Sequence, residues 1–113
     1  DAEGGLEEAA RWFGLSAAVG VAASQYELGA AYVNGDGVGV DIVRGVALLR
    51  QAEAQGYRDA ADDLLAMEGM SAQRGSTLAA DLAQLEAEAE AEAAAAGRTR
   101  AMKAGASLDH DEV

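Results

Sequence analysis

The stretch Leu28–Val38, LGAAYVNGDGV, decides how the rest of the chain is read. Its first half continues a helical pattern that starts near Ala22. Ala22, Tyr26, Gly29 and Val33 form one stripe at helical spacing, and Leu28 and Tyr32 form a second beside it. Two stripes imply contact on two sides. Gly29 has no Cβ, so a neighbouring helix can come close. Gly35 and Gly37 can take positive φ, which a tight reversal between helices requires. The Asn-Gly and Asp-Gly pairs of the second half also suit a β-hairpin. The flanks carry helical rather than alternating spacing, so the reversal is read as joining two helices, with Asp41 as N-cap of the second.

Working outward, the same pattern recurs 36 residues on. Gly20 pairs with Gly56, Trp12 with Leu48, Phe13 with Leu49, Val19 with Gln55, Ser24 with Ala60 and Leu28 with Leu64. This offset fits a helix–loop–helix repeat. It predicts a first helix with Leu6, Ala10, Phe13 and Ala17 on one face, ended by Gly20. A second runs from about Ala22 to Val33. A third, ended by Gly56, places Ile42, Val46 and Leu49 together. A fourth places Tyr57, Ala60, Leu64 and Met67 together and breaks across 69–75. Trp12 and Tyr32 are expected to fill the space between helix layers. A fifth helix is read over about 77–96. Its stripe Leu78, Leu82, Leu85 lasts two turns, after which Glu86, Glu88, Glu90 and Glu92 alternate with alanine and leave no apolar face. Residues 98–113 show no period and are read as a disordered tail. The organisation is thus repeat helices over 1–70, an alanine/glutamate-rich helix over 71–97 and the tail.

From about Leu6 to Met67 the chain resembles the Sel-1-like repeat family, relatives of the tetratricopeptide repeats. EEAARWFGLSAAVG is similar to that family's second helix and its closing glycine. SQYELGAAYVNGDGV is similar to its first helix and glycine loop, and DIVRGVALLRQAEAQG to the next second helix. The residues that define the repeat are then Trp12, Gly20, Leu28, Gly29, Tyr32, Gly35, Gly37, Val38 and Gly56. Gly39 and Val40 stand where the family often has proline and a basic residue. Asp62 replaces an aromatic, Leu65 replaces the glycine of the Leu-Gly step, and the second glycine loop is missing. One repeat is complete and its neighbours are partial. The resemblance implies an all-α fold, a short α-solenoid of antiparallel helix pairs with a C-terminal helical extension, and a role in binding other proteins.

Composition narrows the function classes. Twenty acidic residues against eight basic ones give a net charge of −12, which argues against binding nucleic-acid backbones or inserting into anionic membranes. No apolar run reaches the roughly 18–20 residues of a transmembrane helix. There is no cysteine, so disulfides, zinc thiolates and cysteine nucleophiles are out. His110 is the single histidine, without a second imidazole to share a metal or a positioned nucleophile to activate. Asp62 and Asp63 are adjacent on a helix and do not face each other. The loop Asn34–Val38 lacks the fifth ligand of a calcium loop, at Val38, and the twelfth, at Gly45. The same loop completes no GxGxxG and has no Walker lysine. No catalytic, cofactor or metal residue is assigned.

The expected function is a protein–protein scaffold or adaptor, not an enzyme. Its partner-binding candidates are Tyr26, Tyr57, Leu78, Leu82 and Leu85. The alternative is a small structural subunit of a larger assembly, which could be associated with an organellar membrane. Arrays of this type normally need about three units, and that shortage itself calls for a partner. The start at Asp1 is compatible with a removed targeting segment, and the compartment stays open between cytoplasm and organelle.

Overall fold

The computed structural model describes the backbone of residues 5–111 and the side chains of residues 5–98. Among the described residues the protein is all-helical, with five helices and no strand: α1 (Gly5–Ala18), α2 (Ala22–Asn34), α3 (Ile42–Ala54), α4 (Arg58–Gln73) and α5 (Leu78–Asp111). Each helix packs on the next, and α5 also touches α3. The 36-residue offset governs where helices begin. Ala22 and Arg58 open α2 and α4, and Ile42 and Leu78 open α3 and α5.

Four helices stop by one device. At Gly20, Gly56 and Gly75 the chain turns into positive φ (91°, 84° and 75°). In each case the next residue's N–H reaches back to a carbonyl five residues earlier: Val21 to Ser16, Tyr57 to Ala52 and Ser76 to Ser71. The last orphan carbonyls of the helix are thereby satisfied. Gly35 ends α2 in the same conformation, φ 77°, with Asp36 N–H on the Ala31 carbonyl. Helix starts are capped by side chains at two places: Asp41 accepts from Arg44 N–H at 3.0 Å, and Thr77 accepts from Ala80 N–H at 3.1 Å.

The closest helix contact is between α2 and α3. A Cβ at Gly29 would stand 2.9 Å from the Gly45 carbonyl oxygen, and a Cβ at Gly45 would stand 2.8 Å from that of Gly29. The two backbones touch where neither has a side chain. Around this crossing lies the core: Val46, Leu49 and Ala52 of α3, Ala60 and Leu64 of α4, and Leu78 and Leu82 of α5. Gly37, with φ 77°, places its loop against the first turn of α1, where a Cβ would collide with the Leu6 carbonyl. Asp41 N–H then closes the α2–α3 loop on the Tyr32 carbonyl at 2.9 Å.

Four expectations need correction. Trp12 does not fill an interlayer space; it is 64% exposed on the outside of α1. The faces of α1 that meet α2 carry Ala10 and Ala17 instead, and the tryptophan register has no helix against it. The break expected across 69–75 falls only at its far end: α4 runs through Gly69 to Gln73, and the left-handed glycine is Gly75. A glycine inside a helix costs about 1 kcal/mol against alanine, which does not suffice to stop it. The core crosses residue 70, because Leu78 and Leu82 belong to it. Finally, α5 does not end near Ala96 to leave a disordered tail. Its backbone stays helical to Asp111, through a proline-free run of good helix formers. Residues 112–113 lie outside the described residues.

The glycine contact makes a sharp prediction. Gly45→Ala forces a methyl into the Gly29 carbonyl and the Val33 side chain, and should destabilise by about 1–3 kcal/mol in urea unfolding. Gly14→Ala, where the added carbon meets nothing within 4 Å, should instead be neutral or stabilise by up to about 1 kcal/mol. Equal effects at both sites would refute the close crossing.

Candidate functional site: three helical surfaces

The five partner-binding candidates do not form one surface. Tyr26 and Tyr57 pack on each other, ring centroids 5.2 Å apart, and lie against the core. Burial, followed by the neighbouring Asp63 carboxylate, raises the pKa of the Tyr26 hydroxyl above its ordinary value. Leu78 and Leu82 are buried at 4% and 9% exposure. Leu78 and Leu82 are internal packing, a correction to their assignment as binding positions, while Tyr26 and Tyr57 are half-buried at the edge of the core. The helical spacing of the two leucines reads as a free stripe because the helices they cover lie elsewhere in the chain. Leu85 alone is exposed, at 39%.

Three surfaces stand out. The first is a groove of about 600 Å³ between α1, α2 and α3, floored by Ala17, Leu28 and Leu48 and edged by Gln51 and Arg44. Its rim is tied by polar contacts. The Arg44 guanidinium donates to the Tyr32 hydroxyl at 3.1 Å and lies 5.3 Å from the ring centroid. That hydrogen bond, followed by the charge the Tyr32 hydroxyl can carry, raises the pKa of Arg44, which stays a cation at any working pH. Gln55 donates both to the buried Gln25 side chain, at 2.8 Å, and to the Gly20 carbonyl, at 3.0 Å. The ends of α1 and α3 are thereby fastened across α2.

The second surface is the outer face of α1. Trp12 and Leu15 are exposed at 64% and 61%, one turn apart on α1, and Val19, exposed at 81%, follows in the turn just past the helix end. Sequence reasoning placed Trp12 elsewhere and did not single out Leu15 or Val19 as a surface. The signal available was the offset itself. Trp12 and Val19 correspond to Leu48 and Gln55, and on α3 those two residues meet α2. On α1 the same register has no helix against it among the described residues. The third surface is a trough of about 530 Å³ between the start of α3 and the middle of α5, with Val40, Val43 and Leu85 among its walls.

The junction of α4 and α5 is held by a cluster around Asp81. Its carboxylate accepts from Ser71 Oγ at 2.5 Å, from Ser76 Oγ at 2.8 Å and from Arg74 at 2.8 Å. Hydrogen bonds from Ser71, then Ser76, then Arg74 lower the Asp81 pKa below its ordinary 3.8. Ser71 is buried at 1% exposure, so the cluster also satisfies a polar group inside the protein.

Among the described residues no group of three or more His, Asp or Glu is placed to hold a metal ion, and no helix is long and apolar enough to cross a membrane. The side chain of His110 lies outside the described residues. No family model, no curated protein and no solved structure matches this chain.

The Asp81 cluster has a signed pH dependence. A carboxylate whose folded pKa is lowered contributes stability that is present above its ordinary value and lost as pH falls through the folded one. The protein should therefore lose stability below about pH 3.8, and Asp81→Asn should show a smaller loss over that range. Parallel acid unfolding curves for the two proteins would remove this role from Asp81.

Proposed function

We propose that this chain is a protein-binding module of the Sel-1-like repeat type, a short α-solenoid of antiparallel helix pairs that holds another protein, rather than an enzyme. The ordered LGAAYVNGDGV loop, the recurrence of helix starts at 36 residues and the shared glycine stops support the repeat reading. The observation that carries binding is the outer face of α1. Trp12 and Leu15 on α1, with Val19 in the turn beyond them, are exposed, and Trp12 holds the position whose counterpart on α3, Leu48, packs on α2. Large exposed apolar groups in contiguous array mark interaction surfaces, and tryptophan is enriched among the residues that dominate binding energy. A partner helix laid there would reproduce the α2–α3 contact in trans.

A second reading, a small subunit built permanently into a larger assembly, is favoured by the wholly apolar make-up of that stripe. Obligate interfaces are more hydrophobic than transient ones. The two readings differ in the behaviour of the isolated chain. A reversible adaptor stays folded and monomeric alone, whereas a permanent subunit aggregates or unfolds without its neighbours.

Trp12 is the single tryptophan and so reports its own surroundings. Cross-linking mass spectrometry on protein taken from its native source under mild salt should yield a stoichiometric partner, with links near α1. Adding that partner to the purified chain should shift Trp12 emission to the blue. Leu15→Arg should abolish the shift. Trp12→Ala should leave unfolding within about 0.5 kcal/mol of the parent, as for an exposed side chain, while weakening binding by at least tenfold. Native-source material that yields no stoichiometric cross-link from the chain to any other protein would overturn the proposal.

A further inference from the structure

The trough between α3 and α5 lies away from the α1 stripe, and its chemistry is different. Leu85 stands 36 residues after Leu49. Leu49 is the centre of the core, 1% exposed, while Leu85 is 39% exposed. The register that buries a leucine in α3 thus leaves its counterpart in α5 facing an open trough of about 530 Å³. Val40, 64% exposed, and the half-buried Val43 form the opposite wall. The charged groups on the lining are all carboxylates: Asp41, Glu86 and Glu90. The ion pair found among the described residues, Arg74 with Asp81, is elsewhere. Glu86 and Glu90, four apart on one helix face, repel each other.

We infer that this trough is a docking site for a basic amphipathic helix of a partner protein. Aliphatic residues on one face of that helix would fill the space between Leu85 and Val40, and lysines or arginines flanking them would meet Glu86, Glu90 and Asp41. Charge complementarity selects this occupant over a second copy of the chain, because a net charge of −12 repels its own kind. The same excess steers a basic partner towards the site from a distance. The site is separate from the outer face of α1 and is tested without it.

The test uses the full chain and a fluorescent 14-residue peptide of leucine and lysine with the leucines on one helical face. A second peptide has the same composition scrambled to destroy that face. Anisotropy titrations should show the amphipathic peptide binding at least tenfold tighter than the scrambled one, with affinity falling as salt is raised. Leu85→Gln and the double change Glu86→Gln/Glu90→Gln should each weaken binding about tenfold or more. The double change touches no core residue, so a folding defect in Leu85→Gln leaves it decisive. Leu65→Gln, at a residue 70% exposed on α4, should change nothing. Equal binding of both peptides would reduce the effect to net charge and overturn the site. So would a peptide that quenches or shifts Trp12, which would place it on α1. A dimer in sedimentation that Leu85→Gln disrupts would assign the trough to a second copy and overturn the inference as well.

Discussion

The contact between Gly29 and Gly45 is the constraint on which the other packing depends. Two helices whose backbones touch leave no room to slide, because either glycine's movement along the axis drives a side chain of one helix into the carbonyls of the other. With that crossing set, Leu49 reaches α2 on one side and α4 on the other, and Val46 is sealed at 1% exposure. The rest of the core is mostly alanine and single leucines. Small side chains bury little area each, so close approach has to supply through dispersion what bulk does not. Two helix-interior glycines cost roughly 1 kcal/mol apiece in propensity, and the tight crossing is what offsets them.

Polar contacts then fix what packing leaves free. Gln55 holds the end of α3 to the end of α1 and the start of α2, and Asp81 joins α4 and α5. Gln55 precedes the left-handed Gly56, and Asp81 reaches from α5 to Arg74 and Ser76 on either side of the left-handed Gly75, so both act where the chain has just left a helix and its direction is least determined. Turn geometry and side-chain bonding thus act at the same places. Among the described side chains no buried polar atom lacks a partner, consistent with a body whose few polar interior groups are there to set direction.

Much of this was legible from residues. Stripes such as Ala22, Tyr26, Gly29 and Val33 gave helix type, and Gly20, Gly35 and Gly56 gave helix ends, because glycine's freedom is a local property. Asp41 was readable as a cap for the same reason. The failures were non-local. Gly45 looked like an ordinary glycine within a helix, since nothing in its neighbourhood announces that Gly29 lies opposite. Leu78 and Leu82 read as a free stripe on α5, although α3 and α4 bury them. Trp12 is expected inside because large aromatic side chains fill the space between helices; among the described residues no helix lies against its face of α1. Sequence periodicity identifies which side of a helix is apolar. Whether another helix reaches that side is decided by how many helices there are and in what order.

One feature of the fifth helix bears on how the molecule occupies space. Its 34 residues span about 51 Å at 1.5 Å each, yet only its first two turns contribute to the core. The radius of gyration, 19.0 Å, exceeds the roughly 13 Å of a compact chain near this length. The difference is a protruding arm. Beyond Glu90 about twenty residues remain, a projection of roughly 30 Å. Anything fastened to the outer end is held clear of whatever grips the helical body, so the two ends can be occupied by separate masses without steric conflict. The molecule is shaped as a head on a spar, and the length of that spar sets a stand-off distance.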